Sequence, residues 1–368
     1  MAKSTDALFR PFTVNGLTLP NRIVMAAMTR FQSPGGIPNQ AVADYYARRA
    51  DGGCGLIITE ATPVEHPAAV DHRDVPVFHS KDSLAGWKLV CDAVHDAGGF
   101  IMPQFWHMGM ARNQEAAFNP DVASVGPSGL VMPGKKTGDE LSIDDIQKVI
   151  DAYVQSAVAA REIGFDGIQI HGAHGYLIDQ FLWEGTNERT DEYGGDMVGR
   201  ATFLLQIIEA TRRAVGDDYP VTLRLSQWKQ QDFDVKLAKT PEELDLFLNA
   251  FSDAGVDVID CSTRRFWEPE FEGSPLNLAG WAKKLTGKPS ITVGSVGLHG
   301  DMVEVFQEGV AKPVNELDSL IERLEREEFD LVAVGRAMLT NPDWANKVKE
   351  GRFSDLKPYD AAALASLA

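Results

Sequence analysis

The chain has 368 residues, 44% hydrophobic and 24% charged, a balance that can bury a core and excludes disordered and fibrous classes. Asp and Glu outnumber Lys and Arg by 53 to 35, a formal charge of −18, so the basic footprint that nucleic-acid binding requires is missing and no nucleic-acid partner is expected. No apolar run reaches the ~18 residues of a spanning helix, and the opening MAKSTDALFRPF lacks the apolar core of a secretory leader, so a cytoplasmic protein with no membrane partner is expected.

In chain order, eight short apolar runs stand out: IVMAAM from Ile23, LIITEA from Leu56, IMPQFW from Ile101, GIQIHG from Gly167, VTLRLS from Val221, VDVIDCS from Val256, ITVGS from Ile291 and LVAVGR from Leu331. They are continuous rather than alternating, as strands covered on both faces of a parallel sheet require. Helical periodicity falls between them, near residues 39–50, 82–97, 142–163, 199–214 and 314–327. Ser142, three before Asp145, resembles a capping box, with Ile146, Val149, Ile150, Tyr153, Val154 and Ala157 on one face behind it. Thr240, Pro241 and Glu243 open a further helix carrying Leu244, Phe247, Leu248 and Phe251. HDAGGF, REIGFD, SDAGVD and EREEFD each lead from a helix into a strand. Eight strands alternating with helices predict an α/β fold, a single (β/α)8 TIM barrel over residues 1–368, in preference to an open doubly wound sheet. Segments 107–141 and 262–285 lack strong periodicity and are expected to cap the barrel mouth, with Phe266 and Trp267 either walling the pocket or packing the lid. Cys54, Cys91 and Cys261 are far apart and read as buried thiols, not as a disulfide or a thiolate metal site.

Barrels place their chemistry at the C-terminal strand ends. Those ends carry Thr29-Arg30, Thr59-Glu60-Ala61-Thr62, Gln104-Phe105-Trp106-His107, the stretch His171 to Tyr176, Arg224, GSVG from Gly294, and Gly335-Arg336. The glycines after the seventh run could form only a tight turn, but together with Gly335 and Arg336 they read as a phosphate holder, where barrels commonly bind phosphate. The G-x-x-G-x-x-G spacing lacks the βαβ opening of a dinucleotide fold, so a mononucleotide is expected. Arg224 inside a buried run needs an anion opposite it, either a ligand or a buried acid such as Glu60. Gln104 suits a heterocycle with C=O and N–H edges.

His171 and His174, three apart with glycines at 172 and 175, can aim two imidazoles at one spot, with the Tyr176 phenol beside them. Two donors toward a carbonyl or nitro oxygen would stabilise charge developing there, and the phenol could deliver a proton. The alternative is a metal held by His171, His174 and His107 or Glu60. His66, His72, His79, His95 and His299 read as surface residues. None of the runs contains Lys, which disfavours a Schiff-base aldolase.

With LFRPFTVNGLTLPNRIVMAAMTR, YYARRADGGCGLIITEAT, QFWHMG, FDGIQIHGAHGYLIDQFLWEGTNERTDEYGG and FDLVAVGRAMLTNPDW on the page, the chain resembles the Old Yellow Enzyme family of FMN-dependent ene reductases over nearly its whole length. The resemblance implies FMN as cofactor and NADPH or NADH as hydride donor. It further implies an enone, enal or nitroalkene substrate, with hydride passing from flavin N5 to the β-carbon and Tyr176 protonating the opposite face. It assigns Thr29 to the flavin C4 oxygen, Ala27, Met28 and Ala61 to backbone contacts with the ring, and Gln104 to the pyrimidine edge. Arg224 falls to the N1 side, and Gly294, Ser295, Gly335 and Arg336 to the phosphate. His171 and His174 correspond to the pair holding the activating oxygen, and Trp106 to an aromatic wall of the pocket. No metal is implied, no second flavin or iron-sulfur module, and either a monomer or a homodimer.

The chain departs from the family pattern at Ala27, where Pro is usual, and at Met110, where Arg is common. His174 stands where some members carry Asn, and only His can titrate near neutral pH.

Overall fold

The computed structural model describes residues 3–300 and 309–367. All eight apolar runs are strands: β1 Ile23–Met25, β2 Leu56–Pro63, β3 Ile101–Trp106, β4 Ile168–His174, β5 Val221–Lys229, β6 Val258–Ser262, β7 Ser290–Val293 and β8 Leu331–Val334. They pair in parallel in chain order, and β8 returns to β1 through Val332 opposite Ile23 and Ala333 opposite Val24, closing the barrel. Every residue of β1, β2, β3, β7 and β8 is buried, which explains why these runs do not alternate.

The expected helices lie at Gln40–Asp51, Lys81–Asp96, Ile143–Ile163, Met197–Val215, Pro241–Ala254 and Asp318–Glu325. Thr240 caps its helix by accepting the Glu243 N–H at 3.2 Å. Ser142 accepts the Asp145 N–H at 3.1 Å, but the Asp145 carboxylate takes the Ser142 hydroxyl at 2.7 Å instead of a backbone N–H, so only half of a capping box forms. Leu278–Thr286, inside the segment expected to be a capping loop, is the helix between β6 and β7, and Asn277 caps it by accepting the Gly280 N–H. Its two turns are too short to show a period.

Alternation along the strands separates two apolar layers. Strand residues facing outward pack under the helices. Val24, Leu56, Ile58, Met102, Val258, Ile291 and Leu331 fill the lumen, joined from below by Val14 and Leu19. Those two belong to a hairpin, Phe12–Val14 with Leu17–Leu19, turning over Asn15 and Gly16 at φ of 45° and 81°. Asn-Gly between apolar alternations is a strong hairpin signal. The hairpin seals the end of the barrel opposite the strand C-termini.

Residues 107–141 form an ordered cover over the mouth. Leu130–Met132 and Lys135–Lys136 make a small hairpin, and the buried Arg112 guanidinium donates to the carbonyls of Val70, Asn119 and Val122. The three cysteines are buried and free, and burial pushes the Cys54 thiol up to about 12. No helix among the described residues is long and apolar enough to cross a membrane.

Candidate active site

A cleft of about 220 Å³ opens at the C-terminal strand ends. Ala27, Met28, His174, Arg224, Gly294, Ser295, Gly335 and Arg336 line it, so eight of the residues singled out above meet in one place. Its β7–β8 side is shaped by backbone. A Cβ on Gly294 (φ 153°) would stand 2.6 Å from Thr263 Oγ1 and 2.7 Å from the Thr263 carbonyl oxygen. Ser295 takes a left-handed φ of 53°, and a Cβ on Gly335 would project toward Met28 Sδ at 3.5 Å. Side chains are kept out of this part of the cleft, leaving room for a phosphorylated ligand beside Arg336.

The opposite side of the lumen carries a chain of buried polar groups. Gln104 Nε2 donates to Gln169 Oε1 at 2.6 Å, and Gln169 Nε2 donates to Asp260 Oδ2 at 2.9 Å. Asp260 Oδ2 lies 3.8 Å from Arg224 Nε, an ion-pair distance beyond hydrogen-bond reach. Strand register sets this line, with Gln104 opposite Gln169 and Arg224 opposite Asp260. Burial pushes the Asp260 carboxyl above the usual range against the pull of Arg224 and Gln169, while Arg224 Nε and Asp260 Oδ1 remain buried without hydrogen-bond partners. The anion opposite Arg224 is therefore Asp260, not Glu60, and it leaves the guanidinium incompletely satisfied. These orphaned atoms, next to a cradle free of side chains, fit the heterocycle and phosphate of FMN. Gln104 would meet the ring edge, Arg224 would face its negative charge, and Thr29 and Ala61 stand on neighbouring strand ends.

His171 and His174 end β4, their rings in edge contact with centroids 5.0 Å apart. His174 has a positive φ of 66°, and its N–H donates to Ser226 Oγ at 2.9 Å. Burial, with Arg224 nearby, holds both imidazoles well below their ordinary range, so they are neutral at pH 7 and His174 does not titrate there as its residue type suggests. The Tyr176 ring lies 5.3 Å from that of His171 and 5.2 Å from that of Trp106, and Ala61, Val70 and Val75 pack with Trp106 in an apolar cluster against which Tyr176 rests. Burial raises the Tyr176 phenol, which keeps its proton. The turn between them is fixed from below. Asp179 accepts the Gly175 N–H at 2.7 Å and the Lys229 ammonium at 2.6 Å, an ion pair with both side chains fully buried. Lys229 lies at the end of β5, past the run read as VTLRLS, so a strand does carry a lysine, one committed to Asp179.

The alternative metal ligands are not assembled. His107 Nε2 sits 2.9 Å from His66 Nδ1, and Glu60 accepts the Arg30 N–H at 2.8 Å, its carboxyl pushed up to about 7 by burial. Among the described residues no group of three His, Cys, Asp or Glu could hold a metal ion. His66 thus belongs to a half-buried pair and is not the surface residue expected, whereas His95 is exposed as expected and contacts Asp166 at 2.9 Å. Phe266 is buried in the core while Trp267 is exposed, so the first packs the lid. Gln169, Asp260, Ser262 and Trp228 were not singled out from sequence. The first two are polar residues inside buried runs, the same anomaly that marks Arg224.

The profile of the NADH:flavin oxidoreductase / NADH oxidase family matches residues 7–315. Among solved structures, the chain is similar to morphinone reductase in complex with tetrahydroNAD, with a TM-score of 0.80 and 28% identity over 97% of this chain and 93% of that one. It is likewise similar to the Old Yellow Enzyme homologue from Zymomonas mobilis, with a TM-score of 0.79 and 28% identity over 97% and 96%. Flavin oxidoreductase hxnT of Emericella nidulans is 32% identical over 382 residues, 96% of this chain and 93% of that protein. The NADH oxidase of Thermoanaerobacter brockii is 34% identical over 360 residues, 95% of this chain but 52% of that protein. For 12-oxophytodienoate reductase 7 of Oryza sativa the figures are 41% over 233 residues, 60% and 58%. The chain therefore spans little more than half the length of these last two relatives. A profile covering most of the chain, relatives above 30% identity and a barrel of the same shape lead to one assignment: the chain belongs to the NADH:flavin oxidoreductase / NADH oxidase family, the Old Yellow Enzymes.

Proposed function

We propose that the chain is an FMN-dependent ene reductase that consumes NAD(P)H and reduces the C=C bond of α,β-unsaturated carbonyl or nitro compounds. The observation that carries this reading is the run of ring contacts from His174 through His171 and Tyr176 to Trp106 at the end of β4. Bound FMN supplies two-electron chemistry, hydride in from NAD(P)H and hydride out to an activated carbon.

The residues of this chain do the rest. Gly294, Ser295, Gly335 and Arg336 hold the phosphate, while Ala27, Met28, Thr29, Ala61, Gln104 and Arg224 hold and orient the ring. Arg224, incompletely paired with Asp260, stabilises negative charge on the ring side of the cleft. His171 and His174 donate to the oxygen of the activating group and draw electron density from the alkene. Neutral imidazoles suit this role, because donors already desolvated in the free protein need no rearrangement when the substrate enters. Tyr176 keeps its proton until a carbanion-like centre forms, then donates it from the pocket it shares with Trp106.

The test is the visible spectrum of the purified protein, recorded anaerobically, after NADPH and then after a cyclic enone. A flavin spectrum that bleaches and returns is the expected result. A protein that stays colourless with added FMN would overturn the proposal, and flavin that bleaches without returning on enone would refute the substrate class alone.

A further inference from the structure

Two groups outside the residues assigned to substrate contact His174, and Arg224 reaches one of them. Trp228 stacks on its ring with centroids 4.5 Å apart and planes 26° from parallel, and donates its indole N–H to the Ser262 carbonyl at 3.1 Å. The ring plane is thereby tied to the end of β6. His174 Nε2 lies 2.8 Å from Ser262 Oγ, and Arg224 Nη2 reaches the same oxygen at 3.4 Å.

The donor and acceptor inventory sets the direction of the Arg224 bond and ties that of the His174 bond to the tautomer of its ring. A guanidinium can only donate, so Arg224 takes a lone pair of Ser262 Oγ. The hydroxyl proton then needs an acceptor, and the imidazole Nε2 is its hydrogen-bond neighbour among the described residues. A neutral imidazole carries one ring proton, so an Nε2 that accepts leaves that proton on Nδ1. No partner for His174 Nδ1 is found among the described residues, it is not a buried orphan, and His174 lines the cleft.

We propose that Ser262 is a positioning residue that sets the tautomer of His174, its hydroxyl donating to Nε2 so that the Nδ1–H is presented to the oxygen of the bound substrate. This inference rests on the ene-reductase reading for the identity of that oxygen. It adds a directed chain, Arg224 to Ser262 to His174, in which each donor polarises the next and strengthens the last. One hydroxyl thus couples the ring side of the cleft to the substrate side.

The experiment uses flavin-loaded protein labelled with 15N-histidine, comparing wild type with Ser262→Ala and Ser262→Thr and identifying the His174 ring signals by their loss in His174→Asn. Wild type and Ser262→Thr are expected to show a protonated Nδ1 and an unprotonated Nε2, and Ser262→Ala a shift of the proton toward Nε2. Affinity for para-hydroxybenzaldehyde, a phenol that mimics the activating oxygen, should fall about tenfold in Ser262→Ala and recover in Ser262→Thr. A proton on Nε2 in the wild type, or an unchanged tautomer in Ser262→Ala, would overturn the proposal. Should Ser262→Ala not fold, the wild-type tautomer and the Ser262→Thr spectrum still decide it. Absence of enone turnover in a wild type that shows the expected tautomer would fall on the reading of function, not on the role of Ser262.

Discussion

The two halves of the barrel lumen are built from opposite materials. From β3 to β6 the upper layer is a line of buried polar side chains, Gln104, Gln169, Asp260 and Arg224, joined by hydrogen bonds and one loose ion pair. From β7 through β8 to β2 it is apolar and small, with Val293, Ala333, Val24, Ala26 and Ile58, and glycines at the strand ends. The polar half can discriminate, because each group left unpaired there carries a desolvation cost that a matching ligand edge removes. The small half discriminates little by side chain and instead exposes backbone, which suits a phosphate. On the function proposed above, one ring of strands would read a heterocycle on one side and anchor its tail on the other.

The sharpest way to break this contrast is to remove the acid from the polar half. Asp260→Leu strips Gln169 of an acceptor and Arg224 of its counter-charge, so the flavin-free protein should lose about 3–5 kcal/mol in urea unfolding. Asp260→Asn keeps an acceptor for Gln169 Nε2 and should lose less than Asp260→Leu. Equal stability of Asp260→Leu and wild type would show that the polar line is not structural. Next in size is the chemistry beside that half. Tyr176→Phe should slow reoxidation of reduced flavin by an enone about 100-fold, close to 2.7 kcal/mol, while leaving reduction by NADPH within about twofold in stopped flow. Equal slowing of both steps would remove the proton-donor role.

In the small half the expected signature is reversed, with affinity lost and stability kept. Gly335→Ala points a methyl group into the cleft with its nearest heavy atom at 3.5 Å, so FMN affinity should fall about tenfold with unfolding changed by less than about 1 kcal/mol. A large drop in flavin-free stability would mean that Gly335 is needed for folding and not for room. The smallest effect lies outside both halves. The Asp166 carboxylate, followed by Cys91, raises the His95 imidazole to about 10 from its ordinary 6.5. Its contribution is complete below the unfolded value and disappears as pH rises through the folded one. His95→Gln should therefore cost a few tenths of a kcal/mol at pH 6 and nothing above about pH 10, because the pair is partly exposed. A Tm difference that grows with pH would contradict this assignment.

The barrel was legible because doubly covered strands cannot alternate, and each apolar run coincides with a strand to within a few residues. Of the eight cleft residues, His174, Gly294, Ser295, Gly335 and Arg336 were legible because they end those runs, Arg224 as a charge inside one, and Ala27 and Met28 through the family resemblance. Gln169 and Asp260 escaped notice although polar residues in buried runs are as anomalous as Arg224, and treating the three alike would have found the whole line. Ser262 and Trp228 carried no such mark, since a serine or a tryptophan at a strand end is ordinary until its neighbour across the barrel is known. The same holds for His66, whose partner His107 is 41 residues away in the chain. Pairings set by closure of the ring are invisible to local pattern.

The seam where β8 meets β1 joins residues more than 300 positions apart, Val332 with Ile23 and Ala333 with Val24. Contacts of such sequence separation form late, because the loop entropy must be overcome before they contribute. During synthesis β1 therefore waits as an unpaired strand edge, a template for aggregation, until β8 has been made. Thr29 and Gly335 lie on the two sides of this seam, so the cleft between them is complete only once β8 has paired with β1. Cofactor loading should therefore follow closure of the barrel, and an excess of FMN during refolding should raise the yield of closed barrels by trapping them after closure.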